Sequence, residues 1–122
     1  MMINLGDEVM ELLNHYGYDR TDIDWIGNYE FRVNINWFFS VAEDTDYDNG
    51  YGMALIPYDL IIVMKDGCWF SRHEYDGKEW FTINRPPTKP AVEKNFAYDK
   101  LVAPHEYRYE LDANWLRWFV EK

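Results

Sequence analysis

Cysteine is nearly absent from this sequence. Cys68 stands alone among 122 residues, so no internal disulfide can form, and a reducing compartment suits that usage. Long apolar runs are missing as well. The longest aliphatic stretch is Leu60–Met64, far too short to span a bilayer. The opening segment MMINLGDEVMELL lacks the basic-then-apolar order of a secretory signal. Together these absences predict a cytoplasmic protein with no membrane partner.

Basic residues are scarce where acids are dense. Residues 1–62 contain twelve Asp and Glu but only Arg20 and Arg32, whereas residues 63–122 contain ten of each sign. The formal net charge of −10 therefore belongs to the first half. Such a field repels nucleic acid and anionic membranes and attracts basic partners, although acidity also serves solubility. Direct binding of DNA or RNA requires a basic face with aromatic stacking platforms. Only Arg72, Lys78, Arg85 and Lys89 lend the later strands positive character.

Signatures of chemistry are missing too. Ser40 and Ser71 lie outside the Gly-rich turns that expose a catalytic serine. His15, His73 and His105 show no metal-ligand spacing, and a His73, Glu74 and Asp76 grouping lacks the positional marks of an acid–base site. Gly50 and Gly52 sit in an acidic segment that would repel phosphate. The expectation is no catalytic residue, no metal and no cofactor.

The stretch EDTDYDNGYG, residues 43–52, resembles a calcium loop at first sight. Counted from Asp44, the first, third and fifth positions are Asp44, Asp46 and Asp48. The sixth is Asn49 where the turn needs glycine, and the twelfth is Leu55 where a bidentate Glu belongs. The stretch is therefore expected to be a solvated loop facing water or a basic partner.

What is present in quantity is aromatic: 6 Trp, 10 Tyr and 7 Phe, with 48% hydrophobic residues overall. That suffices for one domain with a real core. Residues 4–17 predict an amphipathic helix capped by Asn4 and stopped by Gly17, with Leu5, Val9, Leu12, Leu13 and Tyr16 on one face. From Tyr29 to Val41 every odd position is apolar, which predicts a long half-buried strand over residues 28–42, broken only by Phe38. Tyr58–Lys65, Cys68–Tyr75 and Trp80–Asn84, joined by Asp66-Gly67 and Asp76-Gly77 as two-residue turns, predict a three-stranded meander. The run RPPTKP, Arg85–Pro90, stops the sheet. A short strand through Tyr107, Tyr109 and Leu111 and a helix begun by Asp112 complete the expected order. The fold class is α+β: an antiparallel sheet, long strand plus meander, flanked by N- and C-terminal helices in one domain over residues 1–122.

The segment DGCWFSRHEYDGKEWFTINRPPTKP, residues 66–90, resembles a stretch found in small proteins of unknown function from bacteriophages and their bacterial hosts. Small size, acidity and the lack of catalytic motifs are similar to anti-defence proteins, anti-CRISPR inhibitors among them. The resemblance implies a phage- or mobile-element-encoded protein acting in the cytoplasm of a bacterial host. The leading expectation is a non-enzymatic inhibitor that occupies the nucleic-acid site of a basic partner such as a defence nuclease. Its candidate contacts are Asp22, Asp24, Glu43, Asp44, Asp46 and Asp48, with Tyr47 and Tyr51 as anchors. The rivals are a small-molecule or nucleotide pocket lined by Trp and Tyr with Arg72 or Arg85 as anion partner, and a housekeeping interaction domain. A deep aromatic cleft with convergent polar groups favours the pocket, and a flat acidic face favours the inhibitor.

Overall fold

The computed structural model describes residues 1–93, and the chain divides after Pro87, inside the proline-rich run. The unit Met1–Pro87 is α+β, with two helices, a five-stranded antiparallel sheet and a separate two-stranded one. The strand expected over residues 107–111 and the helix expected from Asp112 lie outside the described residues.

The first helix forms as its pattern dictates. α1 spans Leu5–His15, and Asn4 Oδ1 accepts the Asp7 N–H at 3.0 Å. Asp7 and Glu8 fill the first turn, where the helix dipole favours them. Leu5, Val9 and Leu13 are buried, and Gly17, at φ 79°, turns the chain out through the left-handed region.

The long strand expected over residues 28–42 does not form. Only Arg32–Val33 is extended there (β3), and Ile35–Glu43 is a second helix, α2. Two periods compete in this segment: apolar residues at every odd position, and Ile35, Phe38, Phe39 and Ala42 at helical i, i+3, i+4, i+7 spacing. Burial follows the second. Phe38, Phe39 and Ala42 enter the core, whereas Tyr29, Phe31, Trp37 and Val41 are exposed. Local polar groups set the break. Asn34 Oδ1 accepts the Trp37 N–H at 2.9 Å and caps α2. Asn28 Oδ1 accepts the N–H groups of Glu30 and Phe31, closing a turn at the start of the expected strand.

The main sheet has the order β3-β2-β5-β6-β7, with β2 at Ile23–Gly27, β5 at Ile61–Met64, β6 at Trp69–Tyr75 and β7 at Lys78–Asn84. The meander β5-β6-β7 agrees with the expectation; β2, which pairs antiparallel with β5, was not anticipated. Asp76-Gly77 is a two-residue turn, with Tyr75 opposite Lys78 and both central residues at positive φ. The other turn is longer than expected. Met64 N–H donates to the Cys68 carbonyl at 2.8 Å, so Lys65, Asp66 and Gly67 form a three-residue loop with Gly67 at φ 92°. At the opposite edge β2 and β3 come together at Gly27, where an added Cβ would lie 2.2 Å from the Phe31 carbonyl oxygen. Both helices and the sheet share one core, in which Val9, Leu13, Ile26, Phe39, Ile62, Met64 and Phe70 are fully buried.

Candidate functional site

The acidic stretch is not the loop its composition suggests. Asp46–Asp48 is strand β4, paired antiparallel with β1 at Met2–Asn4. Alternation along the strand separates its side chains. Asp46 Oδ1 accepts from Asn4 Nδ2 at 2.8 Å, and Asp48 Oδ1 accepts from the Met1 amine at 2.6 Å and from Gly50 N–H at 3.0 Å. The amine and the Gly50 N–H hold the Asp48 carboxyl below the usual carboxylate range. Tyr47 points the other way and is only 5% exposed, so its ring is part of the core rather than an anchor on the surface. Asp44 follows α2 as its C-cap. Among the described residues no group of three or more His, Cys, Asp or Glu is placed to hold a metal ion. No described helix is long and apolar enough to cross a membrane.

The remaining candidates fall into two groups. Asn4 Nδ2, which donates to Asp46, also donates to the Glu43 carbonyl at 2.8 Å, and exposed Asp44 follows Glu43 in the chain. Asp22 and Asp24 lie where β2 begins. Asp22 Oδ2 accepts the Asp19 N–H at 2.9 Å in a short 3-10 turn over Arg20–Asp22, and Asp24 is exposed on the strand. Tyr51 is exposed in the segment linking β4 to β5.

Beneath β4 the structure builds something that sequence reasoning missed. Arg72, only 3% exposed at its side chain, donates to Glu79 Oε1 at 2.7 Å, Glu8 Oε2 at 3.3 Å and Tyr47 Oη at 3.1 Å. Tyr47 Oη donates in turn to Glu8 Oε1 at 2.6 Å. Glu79 is equally buried and also accepts the N–H groups of Leu55 at 2.6 Å and Ile56 at 3.2 Å. Burial pushes the Glu79 carboxyl up, but the Leu55 N–H, the Arg72 guanidinium and the Ile56 N–H outweigh it and hold it below the ordinary glutamate value. Burial and the Glu8 carboxylate push the Tyr47 phenol up, against an opposing pull from Arg72. Burial acts to lower the Arg72 value, yet its bonds to Glu79 and Tyr47 carry it above the ordinary arginine one. The guanidinium lies 4.4 Å over the Phe81 ring, and its Nε has no hydrogen-bond partner among the described residues. In the sequence, the signal was an Arg and a Glu facing inward across two paired strands, seven residues apart.

The network holds one wall of an apolar groove. Leu55 and Ile56, fixed by Glu79, face Phe31 from the β2–β3 turn and Trp37 and Val41 from α2 across a cavity of about 380 Å³. Phe31 is 62% and Trp37 57% exposed, so large apolar side chains stand in solvent around it. Asp59, which accepts from Asn28 Nδ2 at 3.2 Å, and Thr45 mark its polar rim, and no Lys or Arg is among its lining residues. A second, more open cleft lies between α1 and β7, lined by Glu11, His15, Tyr16 and Trp80.

No family model, no curated protein and no solved structure matches the chain.

Proposed function

We propose that this chain is a non-enzymatic binding protein whose partner is a basic protein. The observation that carries the reading is the placement of Glu43, Asp44 and Asp46. α2 ends in Glu43 and Asp44 with no basic residue in its last turn, where the helix dipole is already negative. Glu43 and Asp44 do nothing for the helix there, so a role outside the fold accounts for these two, while Asp46 beside them also accepts from Asn4 Nδ2. Thr45, which lies between Asp44 and Asp46 in sequence, lines the apolar groove. Charge for steering and apolar surface for adhesion therefore adjoin.

Of the two cations named for the rival nucleotide pocket, Arg85 lies 6.0 Å over the Tyr16 ring by the second cleft, where Glu8 and Glu11 line the wall, and Arg72 is taken up inside the fold. Arg72 is enclosed by Glu8 and Glu79, and the groove carries Asp59 and no Lys or Arg. A phosphate would meet repulsion there. The acidity supports a narrower form of the proposal, in which the partner handles nucleic acid, as a defence nuclease does, and carboxylates stand in for backbone phosphates toward its Lys and Arg.

The test is affinity purification with the tagged chain from the cells that make it, followed by mass spectrometry. A variant with Glu43→Gln, Asp44→Asn and Asp46→Asn runs in parallel. Strongly basic proteins should be enriched by the wild type and lost with the variant, and lost from both as salt shortens the Debye length below about 8 Å. Equal recovery by the two proteins overturns the reading.

A further inference from the structure

We infer that the groove between α2, the β2–β3 turn and the segment before β5 is the seat for a large apolar side chain on a basic segment of the partner. This rests on the proposed function and gives the partner's contact a definite chemistry. The exposed walls, Phe31, Trp37, Val41 and Leu55, offer apolar contact to an inserted side chain. The cavity, about 380 Å³, sits at the small end of the range for ligand sites, enough for one or two such side chains.

Charge selects the rest of the occupant. Asp59 lies in the lining, Asp44 and Asp46 flank lining residue Thr45 in sequence, and Glu30 precedes lining residue Phe31. Arg32, next to lining residue Val33, is the one nearby base in the hairpin. Lys or Arg on either side of the inserted residue meets carboxylates, whereas Asp or Glu meets repulsion. The same argument disfavours a second copy of this chain, because Met1–Pro87 carries sixteen Asp and Glu against six Lys and Arg. An anionic membrane is disfavoured for the same reason.

The probes are two short synthetic peptides with the same Leu and Trp residues, one flanked by Lys and the other by Glu. Each is titrated into the full chain by calorimetry, with amide shifts followed by NMR. The Lys peptide should bind, move the resonances of Phe31, Trp37, Val41 and Leu55, and weaken with salt. The Glu peptide should bind at least about tenfold more weakly. Trp37→Ala and Phe31→Ala should each weaken the Lys peptide about tenfold while circular dichroism and Tm stay near wild type, and Trp80→Ala, in the other cleft, should not.

Binding of the Lys peptide that ignores both groove variants, yet falls in the Glu43, Asp44 and Asp46 variant, overturns the groove and leaves the acidic-face reading standing. Equal binding of the two peptides overturns the basic occupant. Binding of neither peptide overturns groove and occupant, while the purification experiment still judges the broader reading. A dimer in sedimentation that Trp37→Ala abolishes shows a second copy as the occupant and overturns the proposal.

Discussion

Two regions of this molecule invert the usual placement of side chains. Around Arg72 charged groups lie inside, and around Trp37 aromatic groups lie outside. The difference lies in how each is matched. The buried guanidinium meets two carboxylates and a phenol, and Glu79 also takes two backbone N–H groups. The interior therefore closes on itself, bar one Nε. Among the described residues the exposed Phe31 and Trp37 meet no such closure. A polar group that is satisfied internally explains a fold, whereas an apolar group left in water asks for a partner.

The contrast breaks most visibly from the inside. Arg72→Met should cost about 3–5 kcal/mol, because Glu79 would be left buried, and Glu8 partly buried, without their cation. That approaches the total stability of many domains, so a urea melt should show a large fall in midpoint or no folded protein. Gly27→Ala should come next. Its Cβ would collide with the Phe31 carbonyl oxygen and with Arg32 Cα, so the β2–β3 hairpin must open, at a cost of about 1–3 kcal/mol by analogy with overpacking elsewhere. Loss of the Val33 cross-strand contacts in NMR would check it, and a wild-type melt would refute it.

Acid gives a third, intermediate test. The Glu79 carboxyl is depressed in the folded chain, so its contribution is fully present above the ordinary glutamate range and fades as pH falls through the lowered folded value. Glu79→Gln should therefore be less stable at neutral pH and should lose less on acidification than the wild type. Parallel acid limbs in the two proteins would remove Glu79 from the pH response.

The outer region should give small stability effects. Trp37→Ala removes a ring already more than half in solvent and should shift stability by less than about 1 kcal/mol. A larger loss would mean that the ring serves the fold. The smallest effect belongs to Asp44→Asn. By easing the negative end of α2 it should leave the thermal midpoint unchanged or raise it by the equivalent of about 0.3–1 kcal/mol.

Much of the first helix and the meander was legible because one physical signal dominated in each. In α1 the Asn4 cap, the acidic first turn and the spacing of Leu5, Val9 and Leu13 agree. Between residues 28 and 43 two periods overlapped, and tertiary burial of Phe38 and Phe39 chose the helix. The interruption at Phe38 was the clue, because a helix explains adjacent aromatics facing one core and a strand does not. Strand β4 failed for a related reason. Asp-Tyr-Asp is itself an alternation, but acidity suggested a loop, and Tyr47 was assigned to the surface when its partner Arg72 lay 25 residues away. The Arg72–Glu79 pair depends on strand register across a turn, which composition alone does not reveal.

The segment between β4 and β5 bears on how cheaply the groove can be used. It runs through Gly50, Gly52 and Pro57, a composition that ordinarily signals a floppy, protease-sensitive stretch. Here it is fastened repeatedly. Glu79 N–H donates to the Asn49 carbonyl at 2.9 Å, Gly52 N–H donates to the Gly77 carbonyl at 3.1 Å, and Leu55 and Ile56 hang from the Glu79 carboxylate. A wall anchored this way is preorganised, so a guest forfeits little affinity to ordering it. Limited proteolysis would find the segment resistant, and complex formation would carry a small conformational entropy cost on this side of the contact.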